Sequence, residues 1–481
     1  MKITRRKALA AMASTPLVMP HTVATARRVL GSNEDLRIAV VGVRGRGQDH
    51  VGGFEKVKGA RVVALCDVDS EVLASRAADF EKKQQRKLTT FADVRRLLEE
   101  KDIDAVSIAT PNHWHTLIAI WAMQAGKDVY VEKPVSHDLR EGEALVRAAQ
   151  KTGRIVQCGT QCRSSVGLQT AVAFVREGGL GRIRVVRGLC YKPRPSIGKV
   201  DGPQPVPASV DYELWCGPAA KDPLTRRNLH YDWHWVWSTG NGDLGNQGIH
   251  QMDIARWILG EGALPAASYS FGGRVGYVDD GQTPNTMVTV HEYSSAPMLF
   301  EVRGLPRARG AKDMDRYLGA SIGVVVHGER GWMTIPSYSD AYVYAPDGAK
   351  VGEFKGGGDH FANFVEAVAA RDASKLNGPI VEGHLSSALC HLGNISLRMG
   401  APSEPKAIAE AVAADVAGAE AQARLREHLA ANEVDLGITP LAMGARLSLD
   451  PVTARFVGPL AERAEQFASG THRAPFELPE V

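Results

Sequence analysis

From Leu36 to Gln157 short apolar runs alternate with amphipathic stretches. Strand-like runs occupy Arg37 to Val43, Ala60 to Val68, Ile103 to Ala109, Val129 to Glu132 and Ile155 to Cys158. Between them apolar residues recur at helical spacing, most clearly over Thr116 to Ala125 and Asp138 to Thr152. Such alternation predicts right-handed crossovers and a doubly wound parallel sheet covered on both faces, an α/β arrangement. Beyond Ser165 the texture changes. A helix over Leu168 to Glu177 leads into β-rich runs near Ile183 to Tyr191, Met287 to Tyr293, Met298 to Arg303, Ile322 to Val326, Trp332 to Pro336 and Ala341 to Tyr344. Gly and Asp turns separate them, which predicts an open, mostly antiparallel sheet with flanking helices, an α+β domain. Helices follow over His360 to Ala370 and Gly383 to Arg398, and the tail from Ala401 is expected to be helical to Asn432 and irregular after it.

At 481 residues the chain is too long for one ordinary core. The pattern divides it into residues 1–33, 34–160, 161–400 and a C-terminal extension over 401–481. Basic and acidic residues number 57 and 54, and four of the basic ones, Lys2, Arg5, Arg6 and Lys7, stand in the first 26 residues without an acid. The remainder is close to neutral, so no nucleic-acid surface is expected. Thr4-Arg5-Arg6-Lys7-Ala8-Leu9, a short small-residue apolar run and Ala24-Thr25-Ala26 together fit a cleavable twin-arginine export signal, with Ala8 where a larger apolar residue is usual. The apolar run is too short to span a bilayer. The expectation is an exported, periplasmic protein. Six scattered cysteines make no disulfide framework, and Cys158 and Cys162 lack a second pair at zinc spacing, so no metal is expected.

Two constellations carry chemistry. Gly42-Val43-Arg44-Gly45-Arg46-Gly47 follows a strand and opens a helix, the setting in which a pyrophosphate approaches main-chain N–H groups. Arg44 stands where a second glycine is usual, so either the pyrophosphate sits further off or Gly45 supplies the close approach. Asp67 ends the second strand, 25 residues after Gly42, where a carboxylate accepts from ribose hydroxyls and repels a 2′-phosphate. NAD is favoured, with NADP kept open by Arg44 and Arg46. A later strand ends in Glu132-Lys133-Pro134 and delivers a cation towards the reacting carbon.

The second constellation is Tyr231-Asp-Trp233-His234-Trp235-Val-Trp237, then Asn246 to Trp257. On one helix Asn246, His250, Asp253 and Trp257 share a face, as expected of a pocket that hydrogen-bonds a polyol. On an extended segment the aromatics at 231, 233, 235 and 237 share one face, for sugar stacking or for plain strand packing.

The Gly42 to Gly47 turn, Asp67, Thr110-Pro111-Asn112 with His115, Glu132-Lys133-Pro134 and Asn246 to Asp253, in that order, resemble the glucose-fructose oxidoreductase, inositol dehydrogenase and rhizopine-catabolism (Gfo/Idh/MocA) family over residues 34–400. The resemblance implies a Rossmann domain followed by an open sheet, with substrate between that sheet and the nicotinamide. It implies cofactor contacts at Gly42, Arg44, Gly45, Arg46, Gly47, Asp67, Thr110, Asn112, His115, Glu132 and Gln161. It also implies catalysis by Lys133 and His250 with Asn246, and substrate contacts at Tyr231, Trp235 and Asp253. Family members commonly carry aspartate where this chain has Asn246, which orients a hydroxyl but takes no proton. The base is then His250 or Lys133. The tail, Tyr231 to Trp257 and Glu382 to Ser396 resemble the exported branch; there His384, His391 and Asn394 share a stripe expected to pack on the first domain.

The expected function is NAD(P)-dependent oxidation of a secondary hydroxyl of a sugar, glycoside or polyol. The alternatives are an NAD-dependent glycosidase, which oxidises its sugar transiently and eliminates the substituent, and a non-catalytic sugar-binding relative. A homo-oligomer and a periplasmic redox partner complete the expectation.

Overall fold

The computed structural model describes residues 35–481, which pack as one unit. The expected export signal lies outside the described residues. Among those described, no helix is long and apolar enough to cross a membrane.

Six strands form the first sheet: β1 (Leu36–Val41), β2 (Ala60–Cys66), β3 (Thr89–Phe91), β4 (Ala105–Ile108), β5 (Asp128–Val131) and β6 (Val156–Cys158). All pair in parallel, in the order β3-β2-β1-β4-β5-β6. The chain turns opposite ways from β1 and β4, so the loops leaving their C-terminal ends diverge and open a crevice. The central strands are apolar throughout because helices cover both faces: Ile38, Ala39, Val106 and Val129 are fully buried. β3 is three residues long with two exposed threonines and carries no apolar run to announce it. The helices start where side chains satisfy their free N–H groups. Asp69 accepts from Glu71 and Val72, and Asp138 accepts from Glu141.

The second sheet contains β7 (Ile183–Tyr191), β8 (Ala267–Gly273), β9 (Thr286–Glu292), β10 (Met298–Arg303), β11 (Ile322–Gly328), β12 (Gly331–Ile335), β13 (Ala341–Tyr344), β14 (Lys350–Phe354), β15 (Ala401–Pro402), β16 (Ala442–Met443), β17 (Leu447–Asp450) and β18 (Arg455–Val457). β10 runs parallel to β7, and the other pairings are antiparallel. One face, with Phe300 and Val302, meets the helices Val166–Arg176, Ile249–Leu259 and Ile380–Arg398. The other, with Phe271, Val290 and Leu299, is covered by the tail helices Pro405–Val412 and Val416–Ala431. Alternation along the strands makes both faces apolar.

The helix Ile380–Arg398 joins the two sheets. Gly383 lies so close to β6 that an added Cβ would stand 2.6 Å from the Cys158 side chain. Ser387 accepts from the Val135 N–H, and His391 meets Ser136 Oγ at 3.1 Å. The tail departs from expectation after Ala431. It does not become irregular: β16 and β17 extend the sheet beyond β8, and a helix over Ala461–Ala468 follows. In β17 only Leu447 and Leu449 are buried, an alternation too short to signal a strand from sequence.

Candidate active site

The crevice beyond β1 and β4 holds a cavity of about 380 Å³. Its floor is the glycine turn. Gly42 has φ +81°, and a Cβ there would stand 2.8 Å from the carbonyl oxygen of Ala109 and the N–H of Thr110. A Cβ on Gly47 would stand 1.8 Å from the Gly42 carbonyl oxygen, so the helix Arg46–Phe54 begins directly against the turn. No side chain caps that helix, whose first N–H groups and dipole are suited to an anion. A Cβ added at Gly45 would meet nothing within 4 Å, so the space over the turn is open. Arg44 is exposed at the rim, whereas Arg46 is bound to Glu132 at 2.7 Å.

Asp67 lines the same cavity. Its carboxylate accepts from the Val43 and Asp69 N–H groups at 2.8 and 3.0 Å, which fixes it facing the turn with lone pairs to spare. Burial raises its pKa against those two donors. Thr110 Oγ1, also at the cavity, is buried without a partner among the described residues. An uncapped helix end, a fixed carboxylate 25 residues from Gly42 and an orphaned hydroxyl together fit a dinucleotide.

Glu132 and Lys133 close the inner end. Burial alone would raise the Glu132 carboxyl, but the His50 hydrogen bond at 3.0 Å and the charge of Arg46 outweigh it and hold it well below the usual range. Burial lowers the pKa of Lys133, and the neighbouring Glu132 only partly opposes that. Its Nζ donates to the main-chain carbonyl of Asn246 at 2.8 Å. Asn246 sits in a π-helical turn, Leu244–Gly248, ahead of the helix Ile249–Leu259.

That wider turn breaks the single face expected from Asn246 to Trp257. Asn246 lines the cavity, but His250 is not part of its lining and is 6% exposed. Burial, with the Lys133 charge second, lowers His250 to about 3, and its Nδ1 is buried without a partner among the described residues. Asp253, expected as a substrate contact, does not line the cavity. Its carboxylate is fully buried, held by Arg163 at 2.8 Å and by Ser386 at 2.7 Å, and Arg163 lies over the Trp257 ring.

The aromatic segment also differs from expectation, because Asp232–Trp235 is a 3-10 turn and not extended. Alternate residues therefore part company. Tyr231 and Trp233 line the cavity, while Trp235, expected as a substrate contact, is buried beneath Arg194, 5.0 Å away, outside that lining. Gln161 opens another short turn outside the cavity lining, its Oε1 unpartnered.

Asn112 and His115 line the cavity from its wall. Asn112 donates to Asn241 Oδ1 at 2.9 Å, and the His115 nitrogens face the carbonyls of Pro134 and Thr110 at 2.6 and 2.8 Å. His115 thereby ties the Thr110 loop to the Lys133 loop. Three residues to which sequence reasoning gave no role stand at or beside the site. Asn241 bonds Asn112, the His137 carbonyl and Asn394. His230 pairs with Asp69 at 2.9 Å beside Asp67. His234 stacks on Trp233 with ring centroids 3.6 Å apart. All three lie in turns, where no periodicity marks a side chain's direction.

One group of carboxylates and imidazole lies elsewhere. Asp138, Glu141 and His472 bring ligand atoms within 4.8 Å of one another. Their oxygens are already engaged: Asp138 by the Glu141 and Gly470 N–H groups, Glu141 by the His137 N–H and His472 Nε2. The group clasps the tail to the helix Leu139–Thr152.

Residues 36–160 match the family profile described as oxidoreductase family, NAD-binding Rossmann fold, and residues 183–268 its C-terminal alpha/beta domain. The chain is similar to a levoglucosan dehydrogenase of Pseudarthrobacter phenanthrenivorans, 26% identical over 56% of this chain and 63% of the relative. It is also similar to glycosyl hydrolase family 109 protein 2 of Shewanella sp. (strain ANA-3), 36% identical over 31% of this chain and 34% of the relative. These matches thus span less than two thirds of each curated relative. In fold it is similar to the WlbA dehydrogenase of Bordetella pertussis in complex with NADH and UDP-GlcNAcA, with a TM-score of 0.56 and 21% identity over 76% of this chain and 97% of that one. With the crevice, its glycine turn and the Lys133 strand end in one place, residues 36–160 and 183–268 are the two domains of a Gfo/Idh/MocA-family oxidoreductase fold.

Proposed function

We propose that this cleft binds NAD and oxidises a secondary hydroxyl of a sugar or polyol. The observation that carries the reading is Lys133: an amine of lowered pKa, anchored to the Asn246 carbonyl, at the inner end of a dinucleotide-shaped crevice. The uncapped helix end at Gly45 receives the pyrophosphate, Asp67 the adenosine ribose. Repulsion between Asp67 and a 2′-phosphate favours NAD over NADP. When bound, the nicotinamide supplies the hydride acceptor.

The protein's part is to hold and deprotonate the alcohol. Lys133 in its neutral form takes the hydroxyl proton, and the ammonium so formed is stabilised by the ionised Glu132 and the Asn246 carbonyl. His250, kept neutral by burial and by that same charge, stands outside the cavity lining and takes no proton in this scheme. Asn246 positions the hydroxyl and takes no proton.

The Arg5-Arg6 leader supports an exported protein that carries its nucleotide with it, because the twin-arginine route passes folded proteins. Sustained turnover would then call for an electron acceptor, a second substrate or a periplasmic redox partner. The similarity to a family 109 glycosyl hydrolase favours one second reading, in which oxidation is transient and ends in glycosidic cleavage. Two measurements test the function: the nucleotide released from purified protein, and absorbance at the reduced nicotinamide band with levoglucosan, a free pyranose, an aryl glycoside and a cyclic polyol. Reduction of the nucleotide supports the dehydrogenase, and aryl release without net reduction supports the second reading. Absence of both, with no nucleotide retained or bound, overturns the proposal.

A further inference from the structure

His234 lines the cleft with Lys133 and Asn246, and neither the nucleotide site nor the proton path uses it. Its ring lies nearly parallel to Trp233, at 21° and 3.6 Å between centroids, so its plane is fixed. Its Nδ1 stands 2.6 Å from the Tyr231 carbonyl oxygen. A carbonyl only accepts, so Nδ1 carries the hydrogen and Nε2 the lone pair. That Nε2 has no partner among the described residues. Burial lowers the ring to about 3, outweighing the Tyr231 bond, and the charges of Lys133 and Arg194 lower it further. The imidazole is therefore neutral near neutral pH, an acceptor within reach of the charges of Lys133, Arg194 and Lys192. Those cations are engaged elsewhere, Arg194 with Asp243 and Lys192 with Gln247. What such a nitrogen lacks is a donor, which phosphates do not offer and hydroxyl groups do.

We propose that His234 is a substrate contact that sets specificity: its Nε2 accepts a hydrogen bond from a hydroxyl of the sugar or polyol other than the one held at Lys133. The inference rests on the reading of the cleft as a hydroxyl-oxidising site. Trp233 and the exposed Tyr231 ring flank the same wall and offer apolar surface to the sugar's C–H face.

The test compares His234→Phe, which keeps an aromatic ring on Trp233 and removes both nitrogens, with His234→Gln, which retains a side-chain acceptor. Both are assayed on the best-oxidised member of the sugar panel and on its monodeoxy analogues, with NADH binding followed by fluorescence. Loss of one neutral hydrogen bond predicts a KM raised about ten-fold in His234→Phe, kcat changed less than about three-fold and NADH affinity unchanged. His234→Gln recovers part of the KM. One deoxy analogue, poor with the wild-type protein, is as good as its parent with His234→Phe. An unchanged KM, a weakened NADH affinity, or His234→Gln and His234→Phe behaving alike overturns the proposal; should His234→Phe fail to fold, the deoxy series on His234→Gln decides. Lys133→Ala separates the two levels. If it keeps wild-type turnover, the reading of the cleft fails. If it abolishes turnover while His234→Phe keeps its KM, only the role of His234 fails.

Discussion

The Lys133 amine donates to the main-chain carbonyl of Asn246 across 2.8 Å, joining the end of β5 in the first sheet to the π-helical turn of the second region. The side chain proposed to move the proton is thus placed by both halves at once. Lys133→Met is expected to lower kcat about 10²–10⁴-fold while NADH still binds. Lys133→Arg is expected to fail similarly, because a guanidinium does not surrender its proton near neutrality. Steady-state kinetics beside an NADH titration check both, and turnover retained in Lys133→Arg would remove the proton-transfer role.

Gly42→Ala is expected to fold less stably by about 2–3 kcal/mol, since φ of +81° is strained for alanine and the new Cβ meets main-chain atoms at 2.8 Å. The same change displaces Thr110 and weakens nucleotide binding. Thermal unfolding with and without NAD measures both effects; a variant with normal stability and full stabilisation by NAD would contradict the packing described.

Arg163 and Asp253 form a buried pair, 5% and 0% exposed. Burial alone would raise the Asp253 carboxyl, but Arg163 holds it below its ordinary value. Arg163→Met leaves that charge buried with fewer partners, an expected cost of about 3–5 kcal/mol. Urea denaturation measures it. Adding Asp253→Asn should recover part of the loss, and no recovery would show that packing over Trp257 carries the effect.

The clasp at Asp138, Glu141 and His472 is expected to loosen at alkaline pH. Burial and the neighbouring Glu141 raise Asp138 from 3.8 to about 7, so the unfolded chain gives up that proton first and stability falls as pH rises between the two values. Although burial opposes it, the Glu141 bond raises His472 above 6.5; its contribution is intact below 6.5 and lost as pH rises through the folded value. Glu141, lowered despite burial chiefly by His472, contributes above 4.5 and loses that contribution as pH falls through its folded value. The Glu141 and His472 contributions are thus both complete between 4.5 and 6.5, and the loss at Asp138 with rising pH puts the tightest hold at the lower end of that window. Limited proteolysis of residues 469–481 at about pH 5.5 and about pH 8.5 should show faster cleavage at the higher pH, with Asp138→Asn reducing the difference. Equal rates for the parent protein at both values would remove this account.

Local chemistry was legible wherever periodicity or a backbone demand wrote it into adjacent residues. The apolar runs of β1, β4 and β5 could only be strands covered on both faces, and the Gly42 turn with Asp67 marked the nucleotide crevice because glycine and a strand-end carboxylate act through near neighbours. β3 and β17 were too short to carry a signal. A one-face pattern from Asn246 to Trp257 assumed a uniform helix. The π-helical turn and the demand of Arg163 for a buried carboxylate decided otherwise, sending Asn246 to the cavity and Asp253 into the core.

The sequence by itself determined the alternating architecture, the dinucleotide turn and the lysine at a strand end, since each follows from contacts between residues close along the chain. Only the tertiary structure decided which polar groups face the cavity. That choice is set by partners more than a hundred residues away: Asn246 for Lys133, Asn241 for Asn112 and Ser386 for Asp253. A buried charge or amide turns towards whichever distant group satisfies it, because leaving it unpaired costs more than any local preference.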